Sequence, residues 1–120
     1  MMSGFSDAAM ALGANAIRSA LGGAQLHTAN PGAGGAASKS SAAMVVPSWT
    51  VVSGPGNFGL ATPMAFSGAT PNGPITWVSL WSSTGPGAIW YGNYQLSGDL
   101  TADSSGNYTV NELDLTGSSA

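Results

Sequence analysis

Reactive side chains need partners, and this 120-residue chain has one histidine, two basic residues and five acids to supply them. The histidine, His27, lies in "GGAQLHTANPGAGGAASKSS" (residues 22–41) with the only lysine, Lys39. It has three possible roles: base to a nucleophilic serine, metal ligand, or end of a strand entering a long loop. Nucleophilic catalysis requires a Ser or Cys activated by His, with a third group orienting the ring. Serines are abundant, but no G-x-S-x-G elbow occurs, and the nearest carboxylate, Asp7, is a helix away. Zinc needs three or four ligands, which one His and scattered acids do not furnish. The balance favours a strand-end His27 hydrogen-bonded to a neighbouring loop, with no catalytic residue, metal or cofactor expected.

The acids are weaker candidates. Asp99 and Asp103 flank a hairpin in "SGDLTADSSGN", and glycosidases use two carboxylates roughly 5–10 Å apart. Both stand among turn residues, where Asp bonds its own backbone. The spacing faintly resembles a calcium loop but lacks the ligand ladder and closing Glu. Glu112 and Asp114 lie two apart on one strand. "GAGGAAS" is not a phosphate loop, because the G-x-x-x-x-G-K-[ST] spacing is missing. A third set is aromatic: Trp81, Trp90, Tyr91 and Tyr94 could form a platform that stacks sugar rings, or, with Trp49 and Trp77, fill a core short of long aliphatics.

Charged residues make up only 6% of the chain, against about a quarter in ordinary domains. A pI near 4.4 with no basic stripe argues against nucleic acid, whose phosphates need clustered Lys and Arg. So neutral a surface lacks the usual guard against self-association, so neighbouring chains are expected to cover much of it. No apolar run is long enough for a transmembrane helix, and no membrane partner is expected. No basic-then-apolar secretory signal is visible, so synthesis in the cytoplasm is expected.

The elements that position these residues are legible in outline. Ser6 is a good N-cap, Asp7 suits the helix dipole, and Phe5 and Met10 have staple spacing, predicting a helix over 5–22. Met10, Ala14, Ile17 and Leu21 share one face, and Gly22-Gly23 ends the helix. "AQLHTA" (24–29) reads as a strand with Gln25 and His27 on one face and Leu26 and Thr28 on the other. Residues 30–43 form a small-residue loop opened by Asn-Pro-Gly, long enough to suggest a docking role. Residues 44–116 read as strands separated by Gly/Pro turns: "MVVPSWTVVS", with Pro47 at an edge or bulge, "LATPMAFSG", "ITWVSLWSS", "AIWYGNYQLSG" and "YTVNELDLTG". "ITWVSLWSS" is apolar on both faces, as a central strand would be, with Trp77, Ser79 and Trp81 on one of them. The sum is one mainly β domain, a small antiparallel sandwich or barrel of about five to seven strands, jelly-roll-like, with one N-terminal helix.

The order of an Ala-rich helix, "LHTANPG", a Gly/Ala loop, "ITWVSLW", a "GAIWYGNYQLSG" hairpin and a closing "YTVNELDLTG" resembles a family of small virion proteins. These are the tail-fibre or minor tail proteins of tailed phages of actinobacteria. The likeness spans residues 8–115, and "LHTANPG" and "ITWVSLW" are its most specific parts. Trp77 and Ser79 depart from the family, as does "SKSSAAM" where an aromatic-and-Arg continuation is usual. The resemblance implies a non-enzymatic virion component, in several copies, with other tail or capsid subunits as partners. A closed homo-oligomer such as a trimer is expected. The expected contact residues are Arg18, Asn30, Pro31, Gly32 and Lys39. Two alternatives stay open: a capsid decoration protein, and a glycan-binding module presenting Trp81, Trp90, Tyr91 and Tyr94.

Overall fold

Ser6 accepts a hydrogen bond from the Ala9 amide at 3.2 Å and opens helix α1, Asp7–Ala20, in a computed structural model that describes residues 5–116. The Leu21 amide closes the helix on the Ile17 carbonyl, and the glycine pair then lets the chain pass close to its neighbour. A Cβ at Gly22 or Gly23 would stand 2.5 Å or 2.2 Å from the carbonyl oxygen of Ser82 or Ser83. Of the expected helix face only Ala14 and Leu21 are buried, whereas Ile17 is 54% exposed. The reason is where α1 rests: a Cβ at Gly56 would lie 2.9 Å from Ala14 Cβ and 3.1 Å from the Met10 carbonyl. That close seat buries Ala14, while Ile17 borders the groove between α1 and β5.

Seven short strands follow: β1 (Gly23–His27), β2 (Phe58–Gly59), β3 (Met64–Phe66), β4 (Trp77–Trp81), β5 (Trp90–Gln95), β6 (Tyr108–Val110) and β7 (Asp114–Leu115). All pairings are antiparallel, so the protein is mainly β with one N-terminal helix. The largest sheet has the order β1-β4-β5, which makes the doubly apolar strand the central one. β2 pairs with β7, and β3 with β6. Leu26, Val78 and Leu80 sit on one face of the three-stranded sheet at 1% exposure or less. Burying a side chain of this size contributes about 1.5–3 kcal/mol. Met64, Phe66, Tyr108 and Val110 of the β3–β6 ladder join the same core.

Several expected strands are shorter than their sequences suggest, "LATPMAFSG" keeping only Met64–Phe66. Residues 44–53 make only isolated bridges, at Val45, Trp49 and Ser53, because Pro47 offers no amide to a ladder. Trp49 turns inward instead, its ring edge-on to Phe58 at 5.5 Å and its Nε1–H donating to the Leu21 carbonyl. The closing strand divides into β6 and β7, which join different sheets. Its buried residues change phase accordingly, from Tyr108 and Val110 to Leu113 and Leu115.

Candidate functional site

Strand alternation gives the β1-β4-β5 sheet two unlike faces. One carries Ala24, Leu26, Val78, Leu80 and Tyr94 into the core. The other carries Gln25, His27, Trp77, Ser79, Trp81, Trp90 and Asn93, through the register Gln25↔Ser79↔Asn93 and Trp81↔Trp90. On this second face the chain's rare chemistry is gathered.

His27 reaches diagonally across the ladder: its Nε2 lies 2.7 Å from Ser79 Oγ, and its Nδ1 lies 2.8 Å from the Ala37 carbonyl. A carbonyl only accepts, so Nδ1 carries the proton and Nε2 is the acceptor. Ser79 therefore donates to His27, and its oxygen accepts from Trp81 Nε1–H at 2.7 Å. The chain of donors runs one way, from Trp81 through Ser79 and His27 to Ala37. His27 and Ser79 have no solvent exposure, and desolvation is the main cause holding the His27 pKa below its ordinary value. Hydrogen bonds to the loop backbone oppose that shift, while Lys39 adds to it.

A serine hydrogen-bonded to a histidine whose other nitrogen is oriented by an acceptor has the connectivity of a nucleophilic pair. Here the orienting group is an uncharged carbonyl, and both residues are sealed. The arrangement clamps loop to sheet. His27 thus ends β1 and bonds the loop, as its surroundings in the sequence suggest. The partner that sequence reasoning missed is Ser79, whose one signal was being the lone polar residue between two tryptophans of an apolar strand.

The loop of residues 30–43 folds back over this face of its own sheet. Asn93 Nδ2 donates to the Gly32 carbonyl at 2.8 Å, and Gly35 lies against the Trp90 indole, where a Cβ would stand 2.3 Å from Cδ1. Lys39 Nζ sits 5.6 Å from the Trp81 ring centroid. Gln25 Nε2 reaches the Ser40 and Ala42 carbonyls, and the Thr28 and Ser40 amides bond Ser38 and Leu26 across the outer edge of β1. Three of the expected contact residues of the loop thus engage their own chain: Pro31 is buried, Gly32 is held by Asn93, and Lys39 faces Trp81. Asn30 is exposed and its side chain caps the Gly32 amide. Arg18, on the helix, donates to the Trp49 and Thr50 carbonyls.

The four aromatics of the expected glycan platform are divided two and two. Trp81 and Trp90 are paired on the loop-covered face. Tyr91 and Tyr94 line an apolar groove of about 470 Å³ between α1 and β5, with Ile17, Ala20 and Leu80. A bulge opposite Leu80/Trp81 puts Trp90 on the Asn93 face and leaves Tyr91 on the side of Tyr94. Burial raises the pKa of Tyr94. Asp99 and Asp103 serve their turns: Asp99 Oδ1 accepts from Thr101, and Asp103 Oδ1 from Ser105 and Asn107. Among the described residues no three His, Asp or Glu side chains are grouped to hold a metal ion, and no helix is long and apolar enough to cross a membrane. No protein-family model matches this chain, and no curated protein or solved structure is significantly similar to it.

Proposed function

We propose that this chain is a non-enzymatic structural component of a tailed-phage virion, a minor tail or tail-fibre protein that assembles in several copies. The observation that carries the assembly reading is the apolar outer surface of α1 and the start of β5. Phe5 is 48% exposed, Leu12 74%, Ile17 54%, Ile89 59% and Tyr91 48%. Large apolar side chains exposed in this number, on a surface with so few charges to keep copies apart, call for a covering partner. The order of sequence pieces that resembles small phage tail proteins supports the virion setting.

The fold-back of residues 30–43 moves the proposed contact surface. The loop is engaged with its own sheet, whereas Leu12, Ile17, Ile89 and Tyr91 on and beside α1 and β5 stay exposed. The mechanism is geometric: a packed β scaffold holds the helix at a set angle and offers its outer face to neighbouring subunits. Protein analysis of gradient-purified particles tests the setting. The chain is expected as a stoichiometric component in multiple copies, and its absence from intact particles overturns the proposal.

A further inference from the structure

We propose that residues 29–40 form an acid-released latch, held shut by neutral His27 and freed from the sheet when His27 takes up a second proton. The geometry carries this. His27 has both ring nitrogens committed, Nδ1–H to the Ala37 carbonyl and Nε2 to the Ser79 hydroxyl, in a site without solvent exposure. A proton on Nε2 turns that acceptor into a donor. Ser79 Oγ would then face two donors, Trp81 Nε1–H and His27 Nε2–H, and its own proton would need a new acceptor where water is excluded.

Among the described residues no acid offsets the new charge. β4 faces the ring with Trp77 and Ser79, and the loop faces it with Ala37, Ser38 and Lys39, whose ammonium repels an imidazolium. Burying an unpaired charge is costly, so the protonated state is favoured by any opening that admits water.

The loop is the part free to open. Between Asn30 and Ala43 it carries only Ala, Gly, Ser, Pro and Lys side chains beyond Asn30 itself, and within residues 29–40 Pro31 is the one fully buried apolar side chain that release must expose. Its attachment rests on His27–Ala37, Asn93–Gly32, Gln25–Ser40, the Gly35–Trp90 and Lys39–Trp81 contacts, buried Pro31 and the Thr28–Ser38 and Ser40–Leu26 amide bonds, with His27 the one titratable group whose protonation breaks a bond at its centre. Ser38, next to the bonded carbonyl, has φ +55°, a strained value for a non-glycine residue that release relieves. The core face of the sheet, with Leu26, Val78 and Leu80, is untouched by opening. Local release is therefore expected before global unfolding.

Amide hydrogen exchange on the full chain, corrected for intrinsic rates, tests this between pH 7.5 and 5. The Thr28, Ala37 and Ser40 amides, bonded to Ser38, Pro31 and Leu26, report the loop; the Ser82 and Leu96 amides report the β4–β5 ladder. The expected result is a fall in loop protection of up to tenfold per pH unit below about 6.5, with ladder protection unchanged. His27→Asn keeps a donor for Ala37 without titrating and should abolish the pH dependence. Should that variant fail to fold, the wild-type His27 ring resonances decide: they should titrate with the same midpoint as the loop amides. The proposal is overturned by loop protection that stays flat, by loop and ladder amides losing protection together, or by a pH dependence that persists in folded His27→Asn.

Discussion

His27 Nε2 and Ser79 Oγ lie 2.7 Å apart across neighbouring strands, 52 residues apart in sequence, and neither residue has any exposed surface. Their hydrogen bond joins the polar face of the sheet to the loop that covers it, because the other nitrogen of the same ring holds Ala37. Ser79→Ala leaves a buried ring nitrogen without a donor and is expected to lower stability by about 1–3 kcal/mol. Urea unfolding of the two proteins checks this. Neither protein is expected to hydrolyse activated esters above background, and a wild-type activity lost in His27→Ala would contradict the clamp role proposed for the pair.

The same ring sets an acid limit on stability. Its folded pKa is lowered, so below the ordinary value of about 6.5 the unfolded chain binds more protons than the folded one. Stability is then lost as pH falls, by at most about 1.4 kcal/mol per unit from this one group. At the alkaline end the sign reverses. Burial raises the pKa of Tyr94 and of Tyr108, with the Asp99 charge adding at Tyr108, so stability is lost as pH rises above about 10. Denaturant midpoints measured from pH 5 to 11 should show a plateau with these two shoulders, and His27→Gln should remove only the acidic one.

Two glycines with the same backbone sign should respond differently to a methyl group. Gly32 has φ +71° and open space around the position of a Cβ, so Gly32→Ala costs backbone strain alone, about 1 kcal/mol. Gly106 has φ +77°, and its Cβ would stand 2.2 Å from the Ala69 carbonyl oxygen, a backbone atom that cannot swing away. Gly106→Ala should therefore lower the unfolding midpoint by clearly more than Gly32→Ala in parallel melts. Equal effects would contradict the close approach at Ala69.

The seam between α1 and the rest of the chain is held by two polar side chains. Trp49 Nε1–H caps the Leu21 carbonyl, and the Arg18 guanidinium donates to the carbonyls of Trp49 and Thr50. Trp49→Phe keeps an aromatic ring beside Phe58 but removes the donor, and should cost about 1–2 kcal/mol. Arg18→Ala should cost about 1 kcal/mol and raise amide exchange in the last helical turn more than in β4.

How much of this was legible in the sequence depended on whether local periodicity or long-range pairing decides the structure. Ser6, Asp7 and the glycine pair mark the ends of α1 to within two residues, because capping is a local matter. The doubly apolar run at Trp77–Trp81 announced its central place, and alternation placed Gln25 and His27 on one face. The seat of α1 on Gly56 could not be read, nor could the exposure of Ile17. The division of the last strand at Asn111 and Glu112 was hidden as well, since either half satisfies a period of two. The fold-back of residues 30–43 was hidden for another reason: it is held through backbone carbonyls, which every residue possesses. Ser79 was hidden because its partner is 52 residues away.

The outer face of α1 gives a direct test of assembly. Leu12 and Ile17 are largely exposed, so Leu12→Glu and Ile17→Glu should leave the unfolding free energy within about 0.5 kcal/mol of the parent. In sedimentation velocity each should shift an assembled species towards the monomer. A parent protein that stays monomeric at high concentration contradicts self-assembly through this face.

The proposed role, a virion building block whose helix face neighbouring subunits cover, can be seen in place. A cryo-EM map of the intact particle tests it most directly. The expected map shows several copies at tail positions, α1 and the start of β5 against an adjacent chain, and residues 30–43 on their own sheet. Copies on the capsid shell would keep the building block but contradict the tail assignment; a particle lacking this chain, or copies whose α1 faces solvent, would contradict the claim itself.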